Sequence, residues 1–212
     1  MQTLDYILTK YNLESKPIVE IPDIGRNGFS GLLAELGFIH GAEVGVEAGK
    51  YSAILLESNS KLMLYSIDAW ASYDTYRAHV SQEIMDLIYQ AAVKRLAKYQ
   101  GRVQLVKAYS LDAVRTFADD ALDFVYLDAN HSYESVSKDL RAWWKKIRPG
   151  GILSGHDYRK NSGIGEKLEV IPALHDFIAG YPPISPLFIL GSRAKIAGKI
   201  RDSTRSWFIC KI

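Results

Sequence analysis

Cysteine is almost absent from this chain: Cys210 is the only one in 212 residues. An intrachain disulfide is therefore excluded, and a reducing, cytoplasmic compartment is the expectation. An excess of charge is missing too. The 26 lysines and arginines nearly balance the 24 aspartates and glutamates, for a formal net charge of +2. Nothing in that balance calls for nucleic acid or an anionic membrane as partner. No apolar run is long enough to span a bilayer. The opening MQTLDYILTKYN mixes polar with apolar residues and lacks the apolar stretch of a signal peptide. Internal repeats and low-complexity segments are absent as well. What the chain does have is core material. With 48% hydrophobic residues it can form one globular unit of ordinary domain size.

The stretch Ala42–Ser52, AEVGVEAGKYS, organises the rest. A short apolar run passes through Gly45 and Gly49 into the helix-forming SAILLES, which reads as strand, tight turn and helix. Such a turn lets a ligand lie against bare backbone; a plain βα turn needing glycine for its φ angles is the competing reading. A dinucleotide turn reads GxGxxG and offers helix-terminal N–H groups to a pyrophosphate. Here Glu47 replaces the middle glycine, and Glu43 adds a second carboxylate. An acidic mouth suits a ligand without phosphates and with a cationic centre, as S-adenosylmethionine has.

The remaining chain alternates in the same way. Thr3–Tyr11 predicts a short helix, Pro17 and Pro22 an extended segment, GRNG (Gly25–Gly28) a turn, and Phe29–Phe38 a second helix stopped by Gly37. These first 40 residues read as a helical cap over residues 41–212, either a lid or simple packing. Leu62–Ile67 is a continuous apolar run suited to a buried parallel strand. Asp68 ends it, at about the roughly 20-residue separation at which this fold holds ribose hydroxyls; turn capping is its other reading. Ala69–His79 is a long aromatic connection. Ser81–Tyr99 predicts a helix turning Ile84, Leu87, Ile88, Ala91, Val93 and Leu96 inward. Val103–Val106 is a third strand, and Ser110 has the chemistry of an N-cap. DFVYLD is a fourth strand placing Asp128 at the switch point. His131 precedes a helix over Ser132–Ile147, RPGG (Arg148–Gly151) is a turn, and Ile152–Ser154 is a short fifth strand leading to His156 and Asp157. Gly165–Phe177 is helical despite Pro172. Pro186–Leu190 and Ser206–Ile212 are final strands joined by a hairpin loop, the last of them internal because it is apolar on both faces.

AEVGVEAGKYS, YSIDAW, FVYLDANHSYESVSKDL, IRPGGILSGHDY and SWFICK, in this order, resemble the successive motifs of class I S-adenosylmethionine-dependent methyltransferases. The nearest branch is the small-molecule O-methyltransferase-like group with HSYE and HDY motifs. The resemblance runs from about Gly28 to the C-terminus. It implies a Rossmann-like, doubly wound α/β sheet of seven mostly parallel strands, with an antiparallel last strand inserted beside the fifth. It further implies that Glu43 and Gly45 approach the methionine part, that Gly49 opens the helix beside the cofactor, that Asp68 takes the ribose hydroxyls with Trp70 lining that pocket, and that Glu47 and Ala69 also belong to the cofactor site. Tyr109 and Ser110 would border the adenine, and Asp128 the sulfonium.

In-line methyl transfer asks mainly for alignment. A hydroxyl acceptor must also lose a proton. His131 or His156 could act as base, with Asp128 and Asp157 beside them. Alternatively Asp128 and Asp157 could hold Mg2+, although His156 stands where metal-dependent relatives carry a carboxylate. The expected partner is a small-molecule acceptor, a sugar or an aromatic ring, and a homodimer through the N-terminal helices is left open. Two other classes stay in view: a nicotinamide-dependent oxidoreductase, which the missing GxGxxG disfavours, and a binding module without catalysis.

Overall fold

The computed structural model describes residues 2–72, 80–160, 168–181, 184–202 and 204–212. Its helices are α1 (Thr3–Lys10), α2 (Arg26–Glu35), α3 (Lys50–Ser58), α4 (Gln82–Leu96), α5 (Ser110–Ala113), α6 (Tyr133–Trp144) and α7 (Val170–Gly180). Its strands are β1 (Ile18–Ile21), β2 (His40–Val44), β3 (Met63–Asp68), β4 (Val103–Lys107), β5 (Leu122–Leu127), β6 (Ile147–Tyr158), β7 (Leu187–Leu190) and β8 (Arg205–Cys210). They form one sheet in the order β1-β7-β8-β6-β5-β2-β3-β4. Every pairing is parallel except those of β8, which runs antiparallel between β6 and β7. The chain reverses its direction of winding between β2 and β5, the crevice where such sheets bind ligands.

Strand periodicity fixes which side chains face which helices. Phe124 and Tyr126 of β5, with Phe208 of β8, face α1, α2 and α3, where Phe29, Leu32 and Leu56 complete one core. Val125, Trp207 and Ile209 point to the opposite face, against Trp143 of α6 and Phe177 of α7. Serine hydroxyls cap the two longest helices. Ser81 accepts from the Ile84 N–H and Ser132 from the Ser135 N–H.

Several expectations need correction. The sheet has eight strands, not seven: the segment between Pro17 and Pro22 pairs with β7 as an edge strand, where the flanking prolines break no ladder. GRNG is no turn. Arg26, Asn27 and Gly28 are the first turn of α2, with Gly25 as its N-cap. RPGG is not a turn either, and the fifth strand is not short. Helix α6 stops at Trp144, β6 starts at Ile147, and a register shift opposite Leu122–Phe124 absorbs the two glycines. In α4 the inward stripe is Ile88, Tyr89, Ala92 and Leu96. Ile84 and Val93 are exposed, and Leu87 is 69% exposed. Apolar residues occur on all sides of this segment, so periodicity alone could not select the buried stripe. Helix α7 begins at Val170 with Pro172 in its first turn, where proline is tolerated; residues 165–167 lie outside the described residues. So do residues 73–79 of the aromatic connection. The hairpin loop and the internal position of β8 are as expected.

Candidate active site

The turn after β2 is shaped by what surrounds it. Gly45 has φ 93°, and a Cβ there would collide with the Asp128 carbonyl. Gly49 has φ 73° and packs on Ala92 and Leu96 of α4. Between them Glu47 takes a left-handed φ of 51°. The turn's free amides are occupied: Asp68 Oδ2 accepts from the N–H groups of Val46 and Glu47, both at 2.9 Å. A pyrophosphate would need those same N–H groups, so this turn is closed to the dinucleotide mode of binding. Among the described residues Asp68 Oδ1 accepts only from the Trp70 N–H, at 2.8 Å, which leaves a lone pair for a ligand hydroxyl. Both readings of Asp68 therefore have a physical basis.

Beside this turn lies a cavity of about 710 Å³, within the roughly 300–1,000 Å³ typical of small-molecule and cofactor sites. Glu43, Gly45, Glu47, Asp68 and Ala69 line it from the ends of β2 and β3, and Tyr109 and Ser110 from the end of β4. Asp128, His131, His156 and Asp157 line it from the ends of β5 and β6. Two expected residues are not in its wall. Gly49 sits behind the turn. Trp70 is 0% exposed, packs on Val46, Ala92 and Tyr89, and donates from Nε1 to the Glu47 carbonyl. Trp70 thus buttresses the turn from below instead of bordering a ribose, at a φ of 42° that is rare for so bulky a residue. Ser110 is also corrected in its local role. It is the first residue of α5 and not its N-cap. Its hydroxyl donates to Asp139 at 2.5 Å and accepts from Trp143 Nε1 at 2.9 Å.

Electrostatics divide the site. Glu43 is buried and receives a hydrogen bond from Ser52. Burial raises its pKa to about 8, against the opposing effect of Ser52 and Arg26. At the ends of β5 and β6, His131 Nε2 lies 3.0 Å from Asp157 Oδ2 and 3.7 Å from Asp128 Oδ1. Burial by itself would lower the His131 pKa, but the two carboxylates outweigh it and hold the imidazole at about 10. A base must be neutral to accept a proton, and the pairing makes this residue an imidazolium at neutral pH. Burial would likewise raise Asp157, but His131 and His156 hold its carboxyl well below the usual range. His156 Nδ1 lies 3.2 Å from Asp157 Oδ2. Asp157 itself takes a left-handed φ of 57°. Asp128, His131 and Asp157 each offer a ligand atom, all within 4.8 Å of one another, a spacing that fits a divalent cation.

Two site residues were missed from the sequence. Arg26 reaches over from α2, and its Nη2 donates to Asp128 Oδ2 at 2.7 Å. It stacks on Tyr51 at 4.3 Å and on Tyr126 at 5.2 Å. No sequence signal marked it, since GRNG read as a turn. Asp139 lines the cavity from α6, and burial raises its pKa to about 6, with the Ser110 bond opposing. Here a signal existed: Asp139 falls on the same stripe as Val136, Leu140 and Trp143, where an unpartnered carboxylate would be costly.

Residues 42–158 match the family described as "Methyltransferase domain". The chain belongs to that family. Solved structures of methyltransferases share its fold. An O-methyltransferase from Bacillus cereus in complex with SAH is 18% identical, covers 99% of this chain and 90% of its own, and superposes with a TM-score of 0.61. The O-methyltransferase TomG from Streptomyces achromogenes, involved in tomaymycin synthesis and in complex with SAM, is 16% identical over 100% and 90% of the two chains, with a TM-score of 0.62. Spermidine synthase from Thermotoga maritima, 12% identical over 88% of this chain and 60% of its own, also superposes, with a TM-score of 0.55. Likeness at these identities is likeness of fold, and the fold serves more than one transfer reaction. No curated protein matches the methyltransferase in sequence. Family membership sets the nicotinamide oxidoreductase aside. None of the described helices is long and apolar enough to cross a membrane.

Proposed function

We propose that this methyltransferase moves the methyl group of S-adenosylmethionine onto a hydroxyl of a small molecule. The supporting observation is the cavity itself. One end has a turn whose amides are closed to phosphate, and the other end has the Asp157–His156 pair. Adenosine fits between Asp68 Oδ1 and the Tyr109–Ser110 turn, the amino-acid part lies by Glu43 and Gly45, and the sulfonium by Asp128. The acceptor oxygen attacks the methyl carbon in line, the C–O bond forms as the C–S bond breaks, and the hydroxyl proton must leave. With Asp157 accepting from Nδ1 of His156, Nε2 of His156 is the proton acceptor. His131, held as a cation, keeps Asp128 and Asp157 from repelling each other.

A second reading has its own observation. Asp128, His131 and Asp157 fit a divalent cation in spacing. Their mixed oxygen and nitrogen set suits a borderline ion better than Mg2+, which prefers oxygen alone. Such an ion, when bound, would lower the pKa of a coordinated acceptor hydroxyl.

Calorimetric titration with S-adenosylmethionine, S-adenosylhomocysteine and NAD tests the cofactor. The first two bind and NAD does not. His156→Gln then keeps cofactor affinity and slows methylation of a responsive hydroxyl acceptor by about 10²–10⁴-fold. Binding of NAD, or a variant as fast as wild type, sinks the corresponding half of the proposal. Cofactor binding with no transfer to any hydroxyl acceptor would point to the non-catalytic module.

A further inference from the structure

Arg26 has a place in the site that pairing with Asp128 does not exhaust. The guanidinium carries five N–H donors. Among the described residues its one hydrogen-bond partner is Asp128, through Nη2, and its Nε is buried with no partner. The side chain is nonetheless held firmly. It lies against the rings of Tyr51 and Tyr126, its carbonyl accepts from the Tyr51 hydroxyl at 3.2 Å, and its N–H donates to Asp202 at 3.3 Å. Stacking of this kind fixes the plane of a guanidinium and leaves its edge for a planar anion. Arg26 shares its end of the cavity with Glu43 and Asp128, and its charge acts on both. A guanidinium paired with a carboxylate, Arg26 with Asp128, at one end of a cavity offers both charges that a zwitterion needs.

We propose that Arg26 is the carboxylate receptor of the cofactor site, binding the α-carboxylate of the methionine part, while the Asp128 carboxylate faces the α-ammonium. This assignment rests on S-adenosylmethionine being the cofactor. It gives α2 a part in ligand binding, because the residue that reads the amino-acid group comes from outside the strand-end turns. A guanidinium that only neutralised Asp128 would matter equally to ligands with and without a carboxylate.

Calorimetry with S-adenosylhomocysteine and its decarboxylated analogue separates the two roles, since the analogue keeps the ammonium and the adenosine. Arg26→Ala weakens the carboxylated ligand by about tenfold or more and leaves the analogue within about twofold of its wild-type affinity. Arg26→Lys, which keeps the charge and loses the planar fork, falls between them and guards against a folding defect in the alanine variant; thermal melts of both confirm the fold. Equal losses for both ligands, or no loss for either, overturn the assignment. If wild-type protein binds neither ligand, the cofactor reading has failed and the assignment falls with it.

Discussion

His131 shows how a side chain can have the right identity and the wrong charge for an expected task. Free imidazole titrates near neutrality, but here two carboxylates hold it at about 10. The consequence for stability has a definite sign. A His with a raised folded pKa contributes stability that is fully present below its unfolded value of 6.5 and is lost as the pH rises through about 10. Asp157, depressed in the folded state, contributes stability present above its unfolded value of 3.8 and loses it as the pH falls through its folded pKa. The pair is therefore strongest between pH 3.8 and 6.5. In chelator-treated protein, the Tm gap between wild type and His131→Gln should be widest in that window and close progressively towards pH 10. A gap that does not change with pH would show that the imidazolium is not what holds the pair. The residue types of this cluster were legible in the sequence because Asp128, His156 and Asp157 fall at strand ends and His131 just before the next helix. Their charge states were not, because a pKa depends on distances between elements that the sequence order does not give. Arg26 was illegible for a related reason: its partners Asp128 and Tyr126 are distant in sequence and meet it only once the sheet is assembled.

At the scale of elements, the site depends on how closely β2 approaches β5. Asp128 donates its N–H to the Val44 carbonyl at 2.7 Å, and Gly45 donates to Ile67 at 2.9 Å. The first turn is thus tied to both neighbouring strands at once. Gly45→Ala meets two obstacles there, a left-handed φ and the Asp128 carbonyl in the path of the new Cβ. Gly101 offers a control, with φ 87° and nothing within 4 Å of a built Cβ. Gly101→Ala should cost only the backbone term, about 1–2 kcal/mol, or roughly 2–8 °C of Tm for a chain of this size. Gly45→Ala should cost well beyond that, with little folded protein recovered. Equal melting temperatures would refute the close approach. Elements with strong local signals were the ones read correctly: the β2 turn, the apolar β3, the internal β8. The errors fell where local and tertiary signals conflict. Pro149, Gly150 and Gly151 look like a turn, yet they are drawn into β6 by pairing with β5 and β8: the Gly150 N–H donates to the Lys211 carbonyl, and the Lys211 N–H donates to the Gly151 carbonyl. Trp70 looks like a pocket residue because it follows Asp68, yet the left-handed backbone at Trp70 turns the indole beneath the turn.

Over the whole molecule, the segment from β1 to Arg26 and the β7–β8 loop meet beside the site. Strand β1 is the sheet's edge, held by β7, and the β7–β8 loop folds back over it. The Gly191 N–H donates to the carbonyls of Ile21 and Ile24, and the Ile200 N–H donates to Pro22. Asp202 in the same loop receives the Arg26 N–H. Arg26 is therefore positioned by a chain of contacts running through an edge strand of four residues, the kind of element that opens locally at little cost. A ligand gripping Arg26 must stabilise that edge, because binding favours only the closed arrangement. A ligand gripping only the strand-end turns would leave local opening of the edge unchanged, since that opening would not release it. Hydrogen exchange distinguishes the cases. With S-adenosylhomocysteine bound, the amides of Gly191 and Ile200, outside the cavity wall, should exchange at least about tenfold more slowly, which corresponds to about 1.4 kcal/mol of coupling. Protection confined to the turn after β2 and to the ends of β3, β5 and β6 would mean that the N-terminal segment packs over the sheet without taking part in binding.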